Sequence, residues 1–148
     1  MPAAAPARPP LRLLAQDPDD LTVLSAALQD AVARVGDIRF EPASRTLTLA
    51  VNRYRWESAE PGGERIRAAV QFGGVLGVRS RNLRREAADA VISILSVGFT
   101  PGEPPGGVLD IVLAGGGDLQ ADLECIDAAL SDLGDPWPAR GAPKHEES

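Results

Sequence analysis

Arginine and aromatic residues alternate along one short run, Arg53, Tyr54, Arg55 and Trp56. Guanidinium groups make planar, bidentate hydrogen bonds to carboxylates and phosphates. Aromatic rings beside them are enriched at interface hot spots and on nucleotide-stacking platforms. Arg65, Arg67, Arg79 and Arg81 fall on neighbouring predicted strands. Together these residues are the candidate set for binding an anionic small molecule or a protein partner. The competing account is a solvated, ion-paired strand face, because exposed charges usually do no more than that. For Tyr54 and Trp56 it is a bulged strand whose Trp56 caps the edge of the fold.

Carboxylates crowd a later region: Asp110, Asp118, Asp122, Glu124 and Asp127. A paired-acid hydrolase needs two of them in a cleft, with the pKa of one raised. A hard cation needs six or more converging oxygens. Alternation instead places Asp110, Asp118, Asp122 and Glu124 on the outer face of a hairpin, where water or arginine satisfies them. Cys125 would begin a helix, whose dipole lowers a thiol pKa. Its parity with Leu119, Ala121 and Leu123 nevertheless points inward, the place of a small buried hydrophobe. His145 is the sole histidine. There is no His–acid–nucleophile set, zinc motif or Gly-rich cofactor loop. Gly115, Gly116 and Gly117 lack a following Lys-Ser/Thr and precede a strand. No catalytic residue, metal ligand or cofactor is assigned. These observations favour a non-enzymatic binding or interaction module. The alternative is an enzyme, or an enzyme's accessory subunit, that uses the carboxylate cluster or Cys125.

The elements that would position these residues follow from periodicity. Asp17 is a natural N-cap, Pro18 suits the first helical turn, and Leu21, Leu24, Leu28, Val32 and Val35 make a helical stripe closed by Gly36. Gln29, Asp30 and Arg34 fall on its solvated side. Residues 38–51 read as a hairpin with Ile38, Phe40, Leu47, Leu49 and Val51 inward. Tyr54 and Trp56 lie on the other parity, which a β-bulge near Asn52 and Arg53 explains. Alternatively, they face outward beneath another element. Ile66, Ala68, Val70 and Phe72 mark a strand with Arg65, Arg67 and Gln71 outside, and residues 75–79 mark another. Residues 91–99 are continuously apolar and suit a strand buried on both sides. The last hairpin, folded symmetrically about Gly116, sets Leu113 opposite Leu119, Ile111 opposite Ala121, Leu109 opposite Leu123 and Asp110 opposite Asp122. Facing carboxylates repel, so an arginine, with Arg65, Arg67 and Arg79 as candidates, is expected between them. Ile126, Ala129, Leu130 and Leu133 then share one side of a final helix, which Gly134 and Pro136 end.

The predicted fold class is therefore α+β: an N-terminal helix, about seven antiparallel strands in a partly open barrel or strongly bent sheet, and a capping C-terminal helix. That element count and order resemble pleckstrin-homology-like domains. The runner-up is an open antiparallel sheet with both helices on one face. The 148 residues suit one domain over 11–137, between disordered tails at 1–10 and 138–148. Residues 1–10 lack the apolar centre of a secretory signal. One cysteine suits a reducing cytoplasm, and no apolar run approaches the ~20 residues of a membrane span. The net charge of −6 argues against nucleic acid or an anionic membrane as partner. A monomer or small homo-oligomer is expected. Charge is uneven, however: residues 45–85 hold nine arginines against three glutamates, leaving that segment at +6 and the remainder at −12. The stretches LQDAVARVGDI, NRYRWE, VLGVRSR, GGG and LECIDAALSDLG resemble the signature segments of a small alphaproteobacterial family of unknown function (the domain of unknown function 2948 type). The resemblance spans residues 11–137 and implies no activity, cofactor or site.

Overall fold

The computed structural model describes residues 10–58 and 60–139. The tails expected at 1–10 and 138–148 therefore fall almost wholly outside the described residues. Ten antiparallel strands and one short helix follow in the order β1 (Arg12–Ala15), α1 (Pro18–Leu28), β2 (Val32–Arg34), β3 (Ile38–Glu41), β4 (Thr46–Tyr54), β5 (Glu64–Phe72), β6 (Val75–Arg81), β7 (Val91–Pro101), β8 (Gly107–Leu113), β9 (Asp118–Leu123) and β10 (Ala128–Pro138). A 3-10 turn, Val35–Asp37, separates β2 from β3. The strands run β1-β10-β5-β4-β2-β7-β8-β9-β6, and β3 shares with β2 the edge of β4 that β5 leaves free. The ends, β1 and β6, do not pair, so the sheet stays open. Among the described residues the one α-helix, α1, is short and follows β1, and no helix follows β9. The α+β, pleckstrin-homology-like expectation is thus replaced by a mainly antiparallel β fold.

Two apolar stripes mislead in the same way. The helix begins as its sequence indicates: Asp17 accepts a hydrogen bond from the Asp20 N–H at 2.7 Å and Pro18 opens the first turn. It ends at Leu28 rather than near Val35, because Asp30 takes a positive φ of 63° and turns the chain into β2. Val32 keeps the helical spacing from Leu28 by coincidence, while the unpaired edges of β4 and β7 need a strand between them. Asp30 N–H donates to the Ile94 carbonyl, and the Ile94 N–H donates to that of Ala31. The expected C-terminal helix is β10, which fills the gap between β1 and β5. Its true period is two, with Ala128, Leu130 and Asp132 buried. A carboxylate at an inward position disguises that alternation. Trp137 continues the strand opposite Arg65, and Pro138 pairs with Glu64, so the chain is still in the sheet there.

The last hairpin has the expected faces but a different register. Leu109 opposes Ala121, Ile111 opposes Leu119, and Asp110 opposes Gln120; Val108, not Asp110, faces Asp122. The turn is asymmetric. The Leu113 N–H donates to the Gly117 carbonyl, so Gly117 is already paired and Ala114, Gly115 and Gly116 make the loop. The φ angles of Gly115 and Gly116, 90° and 96°, suit only glycine. Apolar alternation forbids a slip of one residue but accepts a slip of two, which leaves every side chain on its face. No bulge interrupts β4: its pairing with β5 runs unbroken from Leu47↔Phe72 to Tyr54↔Arg65. Register shifts lie instead in β6, β10 and β7, and the one in β7, between Ile94 and Ser96, turns both Ile94 and Val97 inward. Leu95 and Val91 are exposed, so this strand is not buried on both sides.

Inward residues from every long strand, with Leu21, Leu24 and Leu28 of α1, form one contiguous core. Leu130 sits in it with no exposure. Leu130→Ala should destabilise the fold by about 2–5 kcal/mol through the cavity it leaves. Asp127→Ala, at an exposed position just before β10, should cost far less; denaturant melts of the two variants make the comparison, and equal losses would contradict the strand assignment.

Candidate functional site

Unbroken alternation along β4 separates the candidate residues. Leu47, Leu49, Val51 and Arg53 all face inward, and Arg53 is fully buried. Its guanidinium meets Asp132 on two sides, Nε to Oδ1 and Nη2 to Oδ2, both at 2.7 Å. It also meets Glu57 at 3.0 and 2.6 Å and the Tyr54 carbonyl at 3.3 Å. These contacts match the five N–H donors of an arginine. Burial opposes the charge, but the bonds and charges of Asp132 and Glu57 outweigh it and hold the group above its ordinary pKa. Burial likewise pushes Glu57 up, yet the Arg53 hydrogen bond and the nearby Arg53 and Arg55 charges leave it below the usual carboxylate range. Arg55 is also buried, donating to Glu64 at 2.7 Å. Arg53 and Arg55 are therefore buried in ion pairs that hold the fold.

The outer face of β4 and β5 carries the rest of this set. Tyr54 lies edge-on to Trp56, with ring centroids 4.6 Å apart, and Arg65 stacks over the Tyr54 ring at 5.9 Å. The reading in which Tyr54 and Trp56 face outward is the one the backbone follows. A Cβ at Gly63 would overlap the Tyr54 ring, so only glycine allows the tyrosine to lie flat there. Trp56 Nε1 donates to the Gln29 carbonyl and Arg65 Nη1 to the carbonyls of Asp30 and Asn52. These contacts satisfy the backbone where α1 ends and β2 begins.

Beside them the sheet divides. β2 has three residues and touches β4 through the single pair Val32↔Asn52. The 3-10 turn then carries the chain aside. A groove of about 520 Å³ opens along this seam, lined by Val32, Ala33, Arg34, Asp37, Asn52, Arg67 and Val91. Arg67 reaches Asn52 Oδ1 and Asp37 Oδ2, each at 3.3 Å. Arg34 is exposed, and its side chain makes no hydrogen bond or ion pair among the described residues. The groove thus sets two guanidiniums, an amide and one carboxylate around a volume typical of small-ligand sites. Of the predicted residues only Arg67 lines it, with Arg65 and Tyr54 adjoining. Arg34, Asp37 and Asn52 were not anticipated. Arg34 was hidden by a helical stripe; the doublet Gln29-Asp30 before a Val-rich run was the available sign that the helix stops first.

Arg79 and Arg81 lie elsewhere, on β6. Arg79 holds Gln120 at 3.0 Å and Asp122 at 2.8 Å; Arg81 holds Asp118 at 3.0 and 2.7 Å. An arginine does answer the carboxylates of the hairpin, but it bridges no Asp110–Asp122 pair, since the register puts Asp110 beside Asp118. Burial first, then the Asp118 hydrogen bond and charge, push the Asp110 pKa up. The Arg81 hydrogen bond pulls that of Asp118 down. Cys125 follows β9 in a loop and is half-buried; no helix begins there. Among the described residues, no three His, Cys, Asp or Glu side chains converge as metal ligands would.

The fold and seam define a mainly antiparallel β protein with a polar groove where its sheet divides. The chain belongs to the family described as protein of unknown function (DUF2948), whose model matches residues 11–145. No curated protein and no solved structure matches it.

Asp132→Ala should destabilise by about 3–5 kcal/mol in chemical denaturation, because it strands a buried guanidinium. The acid pair gives a pH signature. Because the folded pKa of Asp110 lies above its unfolded value, its ionisation costs stability as pH rises through the folded pKa and costs nothing below ~3.9. Asp118 does the opposite, losing its contribution as pH falls through its depressed folded pKa. Asp110→Asn should therefore raise stability at neutral pH by about 0.5 kcal/mol, with the gain fading in acid; thermal melts from pH 3 to 8 on the ~1 kcal/mol scale would show it.

Proposed function

We propose that this chain is a non-enzymatic binding module that holds a small molecule bearing a carboxylate or phosphate in the seam groove. The observation that carries the reading is the pair Arg34 and Arg67 lining one cavity, the first without a protein partner among the described residues. Most of the other arginines singled out by the sequence are engaged bidentately or by backbone carbonyls. A guanidinium facing a cavity has an acidic group as its natural complement. Tyr54, Trp56 and Arg65 brace the groove from the β4–β5 side rather than lining it.

A cytoplasmic setting suits this reading. The chain has one cysteine, and no helix among the described residues is long and apolar enough to cross a membrane. Enzymatic use of the hairpin carboxylates draws less support. Asp110 and Asp118 do converge, but Arg81 already occupies Asp118 with two hydrogen bonds.

Thermal-shift and calorimetric titration with a panel of small carboxylates and phosphates should find ligands that raise the melting temperature. Arg67→Ala and Arg34→Ala should each weaken binding by about tenfold or more, while Arg79→Ala should leave it unchanged. Ligands that shift all the variants equally, or none that shift the native chain, would refute the groove as the site.

A further inference from the structure

The groove is not simply basic, and its one acid narrows the ligand. Asp37 lines it together with Arg34 and Arg67, so the three ionised side chains sum to a single positive charge. Asp37 is not consumed by its neighbour. Its contact with Arg67 is one hydrogen bond of 3.3 Å, made by Oδ2, and Oδ1 accepts none among the described residues. Both side chains keep substantial exposure, 40% for Arg67 and 31% for Asp37. Two ion pairs elsewhere are closed by two bonds each, Asp118 with Arg81 and Asp132 with Arg53, whereas Arg79–Asp122 is a single exposed contact on a strand face away from this groove. The pair in the groove is open, with acceptor capacity left on Asp37 and donor capacity left on Arg67. A phosphate or dicarboxylate would set two negative charges near Asp37, where like charges repel in a partly desolvated cleft. A molecule with one acid and one amine meets no such penalty.

We infer, building on the reading of the groove as an acid-binding site, that its ligand is a zwitterion of amino-acid type. Its carboxylate lies between Arg34 and Arg67, and its ammonium faces Asp37. The Asn52 side chain adds a polar contact on the β4 wall. Val32 and Val91 form the apolar wall against which a side chain of the ligand packs.

The test uses the full chain. Ligand-observed NMR against the common amino acids identifies the tightest binder, and calorimetry then compares four probes: that amino acid, its N-acetyl derivative, succinate and inorganic phosphate. N-acetylation should weaken binding to the native chain by about tenfold or more, the worth of a charge-assisted bond. In Asp37→Asn that penalty should largely vanish, while succinate and phosphate should bind more tightly than to the native chain. Arg34→Gln, at an exposed position, should weaken the amino acid and succinate alike. If the N-acetyl derivative, succinate or phosphate binds the native chain as tightly as the amino acid, the zwitterion inference is overturned and the acid-binding reading stands. The same holds if the N-acetyl penalty survives in Asp37→Asn. If none of the four probes binds, both fall together.

Discussion

The contact on which most else depends is the buried pair Arg53–Asp132. A guanidinium without exposure costs several kcal/mol of desolvation unless each of its N–H groups is met, and here five acceptors meet them. Asp132 also accepts from the Leu11 N–H at 2.8 Å, and its own N–H donates to the Leu11 carbonyl at 3.0 Å. One ion pair therefore spans β5 to tie β4 to β10, and extends to the chain just before β1. Because Arg53 stays inward, Tyr54 must turn outward. There it receives Arg65, which grips the carbonyls of Asp30 and Asn52 on either side of the seam. The groove is thus shaped from behind, by a charge that never reaches it.

The two parts of the sheet use arginine differently. On β6, Arg79 and Arg81 lie along an edge strand and neutralise acids of β9 across a single pairing. Charge on an edge strand also discourages pairing with foreign strands. At the seam the backbone itself withdraws, since β2 is too short to fill the space between β4 and β7. A charge on a flat ladder finds a neighbour at once. A charge beside a gap keeps some of its capacity, and that difference separates Arg34 and Arg67 from Arg79 and Arg81.

Parity was legible in the sequence and register was not. Ile66, Ala68, Val70 and Phe72 recur at every second position and are all buried, and Leu109, Ile111, Leu119 and Ala121 behave likewise. The same alternation is blind to a shift of two, so the turn's hydrogen bonds decided which residue faces Asp110. Helix against strand was harder. Leu28 and Val32, or Ile126 and Leu130, are four apart and satisfy both periods. What separated them was demand from outside the segment: open edges on β4, β5 and β7 that needed partners. Asp132 completes the lesson. An inward carboxylate makes sense only beside Arg53, 79 residues earlier, and no local pattern reports that. The seam residues Arg34, Asp37 and Asn52 were missed for the same reason, because the groove they line is a gap between strands rather than a motif.

The position of β10 also governs the order in which the chain can fold. It sits between β1 and β5, so among the described residues the first strand pairs with the last alone. As the polypeptide is synthesised, β4 and β5 can form their hairpin early. One edge of β5 stays open, and Arg53 lacks its buried counter-ion, until the chain beyond Ala128 has emerged. Pairings of such long sequence separation close slowly, since loop entropy is lost before any contact offsets it. Until β10 arrives, then, the sheet keeps an open edge along β5 and an arginine without its inward partner.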